Sequence, residues 1–176
     1  MLSEFQSKDL QRLLGVSKER VTHLGRSVGR IEPEIEKVEG TGRSHRYSFR
    51  NAIQFACAHH LGKLRLNPEE IRRALKTLDH ADRGEFVEGL TIQGEFRPGD
   101  LFDPAVPLLK GFCLIRVESR WPDKPARSGV FKFALMTERA FIDEEEELAG
   151  RGKTIFGYHV LRLDTIKAAV VEYARG

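Results

Sequence analysis

Two helical patterns that follow one another within residues 44–78 constrain the fold of this chain more than any other feature. In the first pattern, which Ser48 caps, apolar residues recur at steps of three and four until Asn67 interrupts them. Asn67 is suited to cap a second helix, because Pro68 favours the first helical position and acidic residues follow it. The predicted buried face of this second helix consists of Ile71, Leu75 and Leu78. The stretch therefore predicts two packed helices joined by a short turn.

The segment before this stretch has the pattern of a helix-turn-helix. We predict a short helix capped by Ser7, a turn at Gly15, which adopts backbone conformations that other residues resist, and a second helix capped by Ser17. Val21 and Leu24 form the core side of that second helix. Such a pattern also occurs in helical bundles that never touch DNA. In the DNA-binding version the second helix lies in the major groove, and the residues predicted to contact DNA are Ser17, Lys18, Arg20, Thr22, His23 and Arg26.

A β-loop is predicted between the two helical parts. Residues 30–39 are extended in character because Pro33 opposes helix, the Gly-Thr-Gly sequence at 40–42 predicts a turn, and the chain returns through residues 43–47. The tip and return strand place basic side chains beside a tyrosine, a mixture suited to phosphate oxygens and the minor groove. This wing is predicted to contact DNA through Arg43, His45, Arg46 and Tyr47.

Charge is divided unevenly along the chain. Through Arg83 there are 16 lysines and arginines against 11 acidic residues, whereas the remainder has 13 against 15. The first part also contains five of the six histidines. This asymmetry favours a polyanionic partner for the first part of the chain.

The order and spacing of these motifs resemble the N-terminal domain of MerR-type transcriptional regulators. The resemblance covers roughly residues 3–78, and the motifs that carry it are Val16-Ser17, His45-Arg46-Tyr47-Ser48 and Glu69-Glu70-Ile71. It implies a sequence-specific regulator that binds double-stranded DNA with its second helix in the major groove and its wing on the backbone or minor groove. Because a single small reader gives modest affinity, we also expect a homodimer on a two-part site.

The sequence departs from the family pattern at three places. Thr22-His23-Leu24 stands where family members usually carry Arg-Tyr-Tyr, and Arg65 stands where they tend to have glycine. Residues 79–84 have neither the length nor the heptads of the long helix that pairs family members as a coiled coil. A different pairing device is therefore expected, and the C-terminal sheet is the predicted surface for it.

From residue 85 onwards the hydrophobic period changes from helical to alternating, which predicts strands at 85–92, 111–121, 129–137 and 154–163, followed by a helix capped by Asp164. We therefore predict an α+β protein with a winged helix-turn-helix over residues 1–80. A small antiparallel-sheet α+β domain with a C-terminal helix is predicted over residues 85–176. This second domain is expected to sense a small-molecule or protein effector, to dimerise or to bind a partner.

The residue patterns associated with catalysis are absent from the sequence. Cys57 and Cys113 are predicted to be buried small hydrophobic residues, and His159 a structural residue of a strand. The acidic run at 143–147 is typical of a solvated helix start, and Trp121 is expected to pack on a loop. We predict no enzyme activity, no cofactor and no metal site. Because no apolar run is long enough for a membrane span and no signal-peptide pattern opens the chain, we expect a cytoplasmic protein.

Two alternatives to a DNA-binding regulator follow from the same residues. A protein-interaction module that has kept the winged scaffold but no longer reads DNA agrees with the altered second helix and with an acidic outgoing wing strand. An excisionase-like architectural DNA-binding factor shares the winged scaffold. The acidic residues of the outgoing strand are Glu32, Glu34, Glu36 and Glu39.

Overall fold

A computed structural model describes residues 4–36, 45–94, 96–120, 132–150 and 154–176. The described residues form six α-helices, one π turn and one four-stranded sheet. In chain order these elements are α1 (Ser7–Leu14), α2 (Lys18–His23), the π turn (Leu24–Val28), α3 (Phe49–Lys63), α4 (Pro68–Asp82), β1 (Leu90–Ile92), β2 (Phe112–Arg120), β3 (Lys132–Thr137), α5 (Glu138–Gly150), β4 (Thr154–Arg162) and α6 (Leu163–Arg175). An α+β class is therefore confirmed.

The turn between α1 and α2 has the predicted chemistry. Gly15 adopts a left-handed conformation with φ +63°, and the Ser17 hydroxyl accepts a hydrogen bond of 3.3 Å from the Arg20 amide. The predicted cap at Ser7 is wrong by one residue. Gln6 is the N-cap of α1, because its amide donates to the Asp9 carboxylate at 2.8 Å and so closes the first turn one residue earlier.

After α2 the chain continues into the π turn instead of ending as a regular helix. The Gly29 amide donates to the Leu24 carbonyl at 2.7 Å, five residues back, which is the spacing of a π turn. Gly25 lies so close to Phe55 that a Cβ atom there would come within 3.1 Å of the ring. The wide turn therefore brings the backbone of the second helix directly against α3.

Short β-bridges hold the base of the predicted wing. Phe5 and Tyr47 exchange two backbone hydrogen bonds of 2.8 Å each, and Glu36 and Arg46 exchange bonds of 3.3 and 3.1 Å. The returning segment therefore lies between the chain start and the outgoing segment. The predicted wing tip, with Arg43, falls outside the described residues.

The two helices predicted at residues 44–78 form with the predicted caps. The Ser48 hydroxyl accepts from the Asn51 amide at 3.1 Å, and the Asn67 side chain accepts from the amides of both Glu69 and Glu70 at 3.0 Å. α4 continues four residues beyond the predicted end at Leu78. Its last turn is held because the buried Asp82 carboxylate accepts a 2.9 Å bond from the Leu101 amide.

Arg65, in the turn between α3 and α4, has a left-handed backbone with φ +63°. This conformation costs a non-glycine residue roughly 1–2 kcal/mol. We therefore expect Arg65→Gly to raise the free energy of unfolding by up to about 1 kcal/mol, since the greater freedom of glycine in the unfolded chain offsets part of the relief. Urea denaturation measures the change. Arg65→Ala is the matched control, because it removes the same side chain but keeps the strained Cβ; a gain equal to that of glycine would contradict a backbone origin.

The sheet has the strand order β1-β3-β2-β4. β2 pairs antiparallel with β3 and β4, but β1 pairs parallel with β3, so the predicted fully antiparallel sheet is wrong at this edge. β1 is also shorter than the predicted strand at 85–92. The Leu90 amide donates to the Val87 carbonyl at 3.1 Å, and this turn prevents an extended strand before Leu90.

Helices cover both faces of the sheet. Cys113, Ile115 and Met136 pack with Phe141 of α5 on one face, whereas the alternate residues of β2 and β3 join the larger core with α3 and α6. α6 begins at Leu163, so the predicted cap at Asp164 is wrong by two residues. The Asp164 carboxylate instead accepts hydrogen bonds from the Gly111 amide at 2.8 Å and from the Arg162 guanidinium at 3.1 Å.

The helical half and the sheet half share buried residues. α6 packs on α1 and α3, and the rings of Phe5 and Tyr173 stack with centroids 6.3 Å apart. Glu70 of α4 accepts a hydrogen bond of 2.7 Å from Arg116 of β2. One continuous core therefore extends across the predicted domain boundary at residues 80–85.

Candidate nucleic-acid interface

The second helix exposes the residues that the sequence analysis selected. Val21 and Leu24 are buried, as predicted, and they fix which side of α2 and the π turn meets the core. At 3.6 residues per turn, positions 19, 23 and 26 lie farthest from this buried side. The predicted contact residues on this element are all exposed: Ser17, Lys18, Arg20, Thr22, His23 and Arg26.

An acidic residue that the sequence analysis did not select also lies on this exposed side. Glu19 precedes His23 by one helical turn and is exposed. Hydrogen bonds from its own amide and from the Ser17 hydroxyl lower the pKa of its carboxyl, and the smaller effect of Lys18 acts in the same direction. A carboxylate at this place is repelled by phosphate but accepts a hydrogen bond from the amino group of cytosine.

Arg20 lies at one edge of the exposed side, against α3. Its Nη2 atom would be 3.5 Å from a Cβ atom built at Gly62, near the C-terminal end of α3. The charge of Arg20 also contributes to lowering the pKa of His59 on the same helix. Arg20 therefore belongs to a basic cluster with the last turns of α3, which we call the α3 cluster: Arg20, His59, His60 and Lys63.

The histidines and lysine of the α3 cluster were not predicted as site residues. His59 and His60 have ring centroids 5.6 Å apart, and Lys63 follows His59 by one helical turn. Lys63 lowers the pKa of both histidines after the larger effect of burial. Their spacing on one helix was visible in the sequence, but their proximity to Arg20 depends on how α2 packs on α3.

Arg26 follows Gly25, which packs against Phe55 near the middle of α3. Burial raises the pKa of Tyr47, and the charge of Arg26 opposes that rise. Tyr47 is only 8% exposed, and its ring meets Phe55 edge-on at 5.1 Å. Tyr47 therefore packs mainly in the core, with His45 edge-on to it at 6.1 Å.

Arg46 is already engaged with carboxylates. Its guanidinium lies 3.1 Å from Glu4 and 3.3 Å from Glu36. Arg46 would have to exchange these partners to bind a DNA phosphate. Arg50 is similarly placed between the carboxylates of Glu34, Asp79 and Asp82 at 3.5–3.8 Å.

The two basic groups are separated by most of the length of α3. From Ser48 to Gly62 the helix rises about 21 Å at 1.5 Å per residue. The major groove of B-DNA is about 12 Å wide. Cations at the two ends of α3, such as Arg46 and Lys63, are therefore far enough apart to meet the two backbones that border one major groove.

Residues assigned to other roles have simpler environments. Cys57 and Cys113 are buried, as predicted, and burial raises their thiol pKa values to about 12 and about 11. His159 has its Nδ1 atom 3.4 Å from Arg116. The acidic run at 143–147 lies in the middle of α5 and not at its start, because α5 already begins at Glu138. Trp121 lies outside the described residues.

A cleft of about 490 Å³ lies between α4 and the residues that follow the π turn. Arg72 lines this cleft and donates a hydrogen bond of 3.1 Å to the Ser27 carbonyl. The other charged residues of the cleft include both signs. Its lining includes Arg30, Glu34, Arg50, Asn51 and Lys76.

Among the described residues, no group of three or more histidine, cysteine or acidic side chains is arranged to hold a metal ion. The helices of the described ranges include none with the length and apolar character needed to cross a membrane. No protein-family model matches this chain, and no curated protein matches it.

Proposed function

We propose that this protein is a sequence-specific DNA-binding transcriptional regulator that resembles the MerR family. The observation that carries the proposal is the exposed side of α2, which adjoins the α3 cluster through Arg20. The α3 cluster forms one cationic group, and Arg46, two residues before the N-cap of α3, belongs to a second. This arrangement suits a duplex because positioning contacts to phosphates flank residues that face base edges.

In the proposed complex α2 enters the major groove. Thr22, His23 and Arg26 face base edges, and Glu19 accepts from a cytosine amino group where the site provides one. Lys18 and Arg20 bind phosphates at the groove borders. His45 and Arg46 bind the neighbouring backbone after Arg46 leaves its carboxylate partners.

A single small reader gives modest affinity, so the proposal includes a homodimer on a two-part DNA site. Both faces of the sheet are covered by helices, which leaves its edges as the pairing surface: β1 with Ile92 and β4 with Tyr158. Ile92 and Tyr158 are both exposed. The proposal also includes a small-molecule or protein effector that acts through this sheet.

Selection from a random-sequence duplex pool tests the proposal. We expect one sequence family to be enriched, and its affinity to fall steeply with salt because bound phosphates release counterions. Lys18→Ala should weaken binding to all sequences and reduce the slope of log affinity against log salt by about 1. Arg26→Ala should instead change which sequence is selected, with a loss of roughly 1–3 kcal/mol at one base pair.

Lys110→Ala is the matched control, since it removes an equally exposed lysine from the sheet half of the chain. It should leave both the affinity and the salt slope as they are. If no sequence is enriched and the residual binding is weak and insensitive to salt, the regulator proposal is wrong.

The alternative function is a protein-interaction module on the same scaffold. The specific observation in its favour is that Glu4 and Glu36 hold Arg46, so that this wing cation is neutralised in the free protein. Glu19 on the exposed side of α2 also agrees with a partner that is not a polyanion. The selection experiment separates the two functions, because the module enriches no DNA. An architectural factor of the excisionase kind would enrich a site and bend it, which a circular-permutation gel shift detects.

A further inference from the structure

The α3 cluster contains a histidine whose surroundings do not satisfy it. The side chain of His59 is 8% exposed, and neither of its ring nitrogens has a hydrogen-bond partner among the described residues. Buried polar groups usually have such partners, and leaving one unpaired costs more free energy than a typical hydrogen bond contributes. A bound group that accepts a hydrogen bond from the His59 ring would therefore stabilise this arrangement.

The neighbours of His59 are cationic. The charged and titratable groups that act on it are Lys63 and His60 on its own helix and Arg20 on α2. Burial and then these neighbours lower the pKa of His59 to about 4, so its ring is neutral near pH 7. Because Lys63 and Arg20 are permanently charged beside this neutral imidazole, the site carries positive charge that a bound anion would neutralise.

We propose that His59, His60, Lys63 and Arg20 form a phosphate site, and that His59 takes up a proton when a DNA phosphate occupies it. The inference rests on the proposed function, because it takes the phosphate from a DNA backbone. The phosphate supplies a negative charge next to the cations and, once the His59 ring turns its nitrogen toward the surface, an oxygen that accepts a ring N–H. Both effects favour the imidazolium form.

Further loss of solvent opposes this protonation only slightly. The ring is already almost fully buried, so DNA removes little additional water from it. The added negative charge and the new hydrogen bond therefore decide the direction of the change. Binding then couples to one proton: the complex holds more protons than the free protein at every pH between the two titration midpoints of His59.

This coupling has a defined sign. As the pH falls through the midpoint of the complex, DNA affinity rises by up to tenfold per pH unit, and the rise ends below the free midpoint near pH 4. His59→Gln keeps an amide that donates hydrogen bonds but does not titrate. The affinity of this variant should therefore lack the part of the pH dependence that His59 contributes.

The direct measurement is an NMR titration of the His59 ring in protein labelled at histidine, from about pH 5 to about pH 8. It is made on the free protein, with the selected duplex and with inorganic phosphate. We expect the midpoint to lie below this range in the free protein and within it when duplex is bound. A smaller movement in the same direction is expected with inorganic phosphate.

The outcomes separate this inference from the proposed function. If the duplex binds and the His59 midpoint does not move, the inference is overturned and the DNA-binding function stands. A movement with inorganic phosphate but none with duplex overturns the assignment to a DNA phosphate. If no duplex binds at any pH, both proposals fail together.

Two variants identify the histidine responsible. His60→Gln tests the neighbouring ring of the same cluster, and His80→Gln tests a histidine that is bound to Glu85 at the far end of α4. The pH dependence of affinity should survive His80→Gln in full. If it survives His59→Gln but is lost in His60→Gln, the inferred role of His59 is wrong; because the NMR titration uses the wild-type chain, it decides the question even if a variant fails to fold.

Discussion

Phe55→Ala is expected to lower the free energy of unfolding by about 3–5 kcal/mol, a large part of the stability of a typical domain. Phe55 is fully buried in α3. Its ring meets Tyr47 at 5.1 Å, and its edge lies against Gly25 of the π turn. The truncation therefore opens a cavity where α3, the second helix and the segment before Ser48 meet. Chemical denaturation followed by circular dichroism measures the loss.

Phe86→Ala provides the matched control, since the same substitution is made where the ring is 91% exposed. Its effect on unfolding should stay within about 0.5 kcal/mol. Phe55→Ala should also weaken DNA binding even at temperatures where the variant remains folded, because the cavity loosens the position of the second helix. A loss at Phe55 no larger than at Phe86 would mean that the core does not join these elements as described.

Features that depend on a few neighbouring residues were predictable from the sequence. The caps at Ser17, Ser48 and Asn67 each involve an acceptor and an amide within three residues, so their chemistry is visible in a short segment. The glycine turn at Gly15 and the proline start of α4 are equally local. The helices of the first half followed from these signals and from hydrophobic periodicity.

Features that depend on distant partners were not predictable in the same way. Asp164 has the residue type of a cap, but the Gly111 amide and Arg162 occupy it, and the helix begins without it. The parallel pairing of β1 depends on which edge of β3 is free, and alternation along a strand does not report this.

The candidate site shows the same division. Exposure of Lys18, Thr22 and His23 followed from the buried positions of Val21 and Leu24. The carboxylate partners of Arg46 and the cluster of Arg20 with His59 depend on contacts between separate elements, which no local pattern encodes. Residue type thus predicted which side chains are exposed, and packing determines which of these cations already have carboxylate partners.

The second large effect on the free energy of unfolding is expected from removing the contact between Glu70 and Arg116. Arg116 is 8% exposed on β2, and its guanidinium donates to the Glu70 carboxylate at 2.7 Å. Glu70→Ala is expected to lower the free energy of unfolding by about 3 kcal/mol, because it removes one carboxylate partner from a buried cation. The same carboxylate accepts a 3.0 Å bond from the Asn67 amide, so the start of α4 also loosens.

A double-mutant cycle separates the ion pair from the helix start. Arg116→Met removes the cation while keeping an apolar chain of similar length, so Glu70→Ala made on top of it should cost only what the helix start loses, about 1 kcal/mol. The difference between the two costs is the contribution of the Glu70–Arg116 ion pair to stability. Because Glu70 belongs to the helical half and Arg116 to the sheet half, wild-type unfolding should occur in one transition. Two separated transitions, or a Glu70→Ala cost that Arg116→Met leaves unchanged, would show that the halves fold independently and that this contact does not join them.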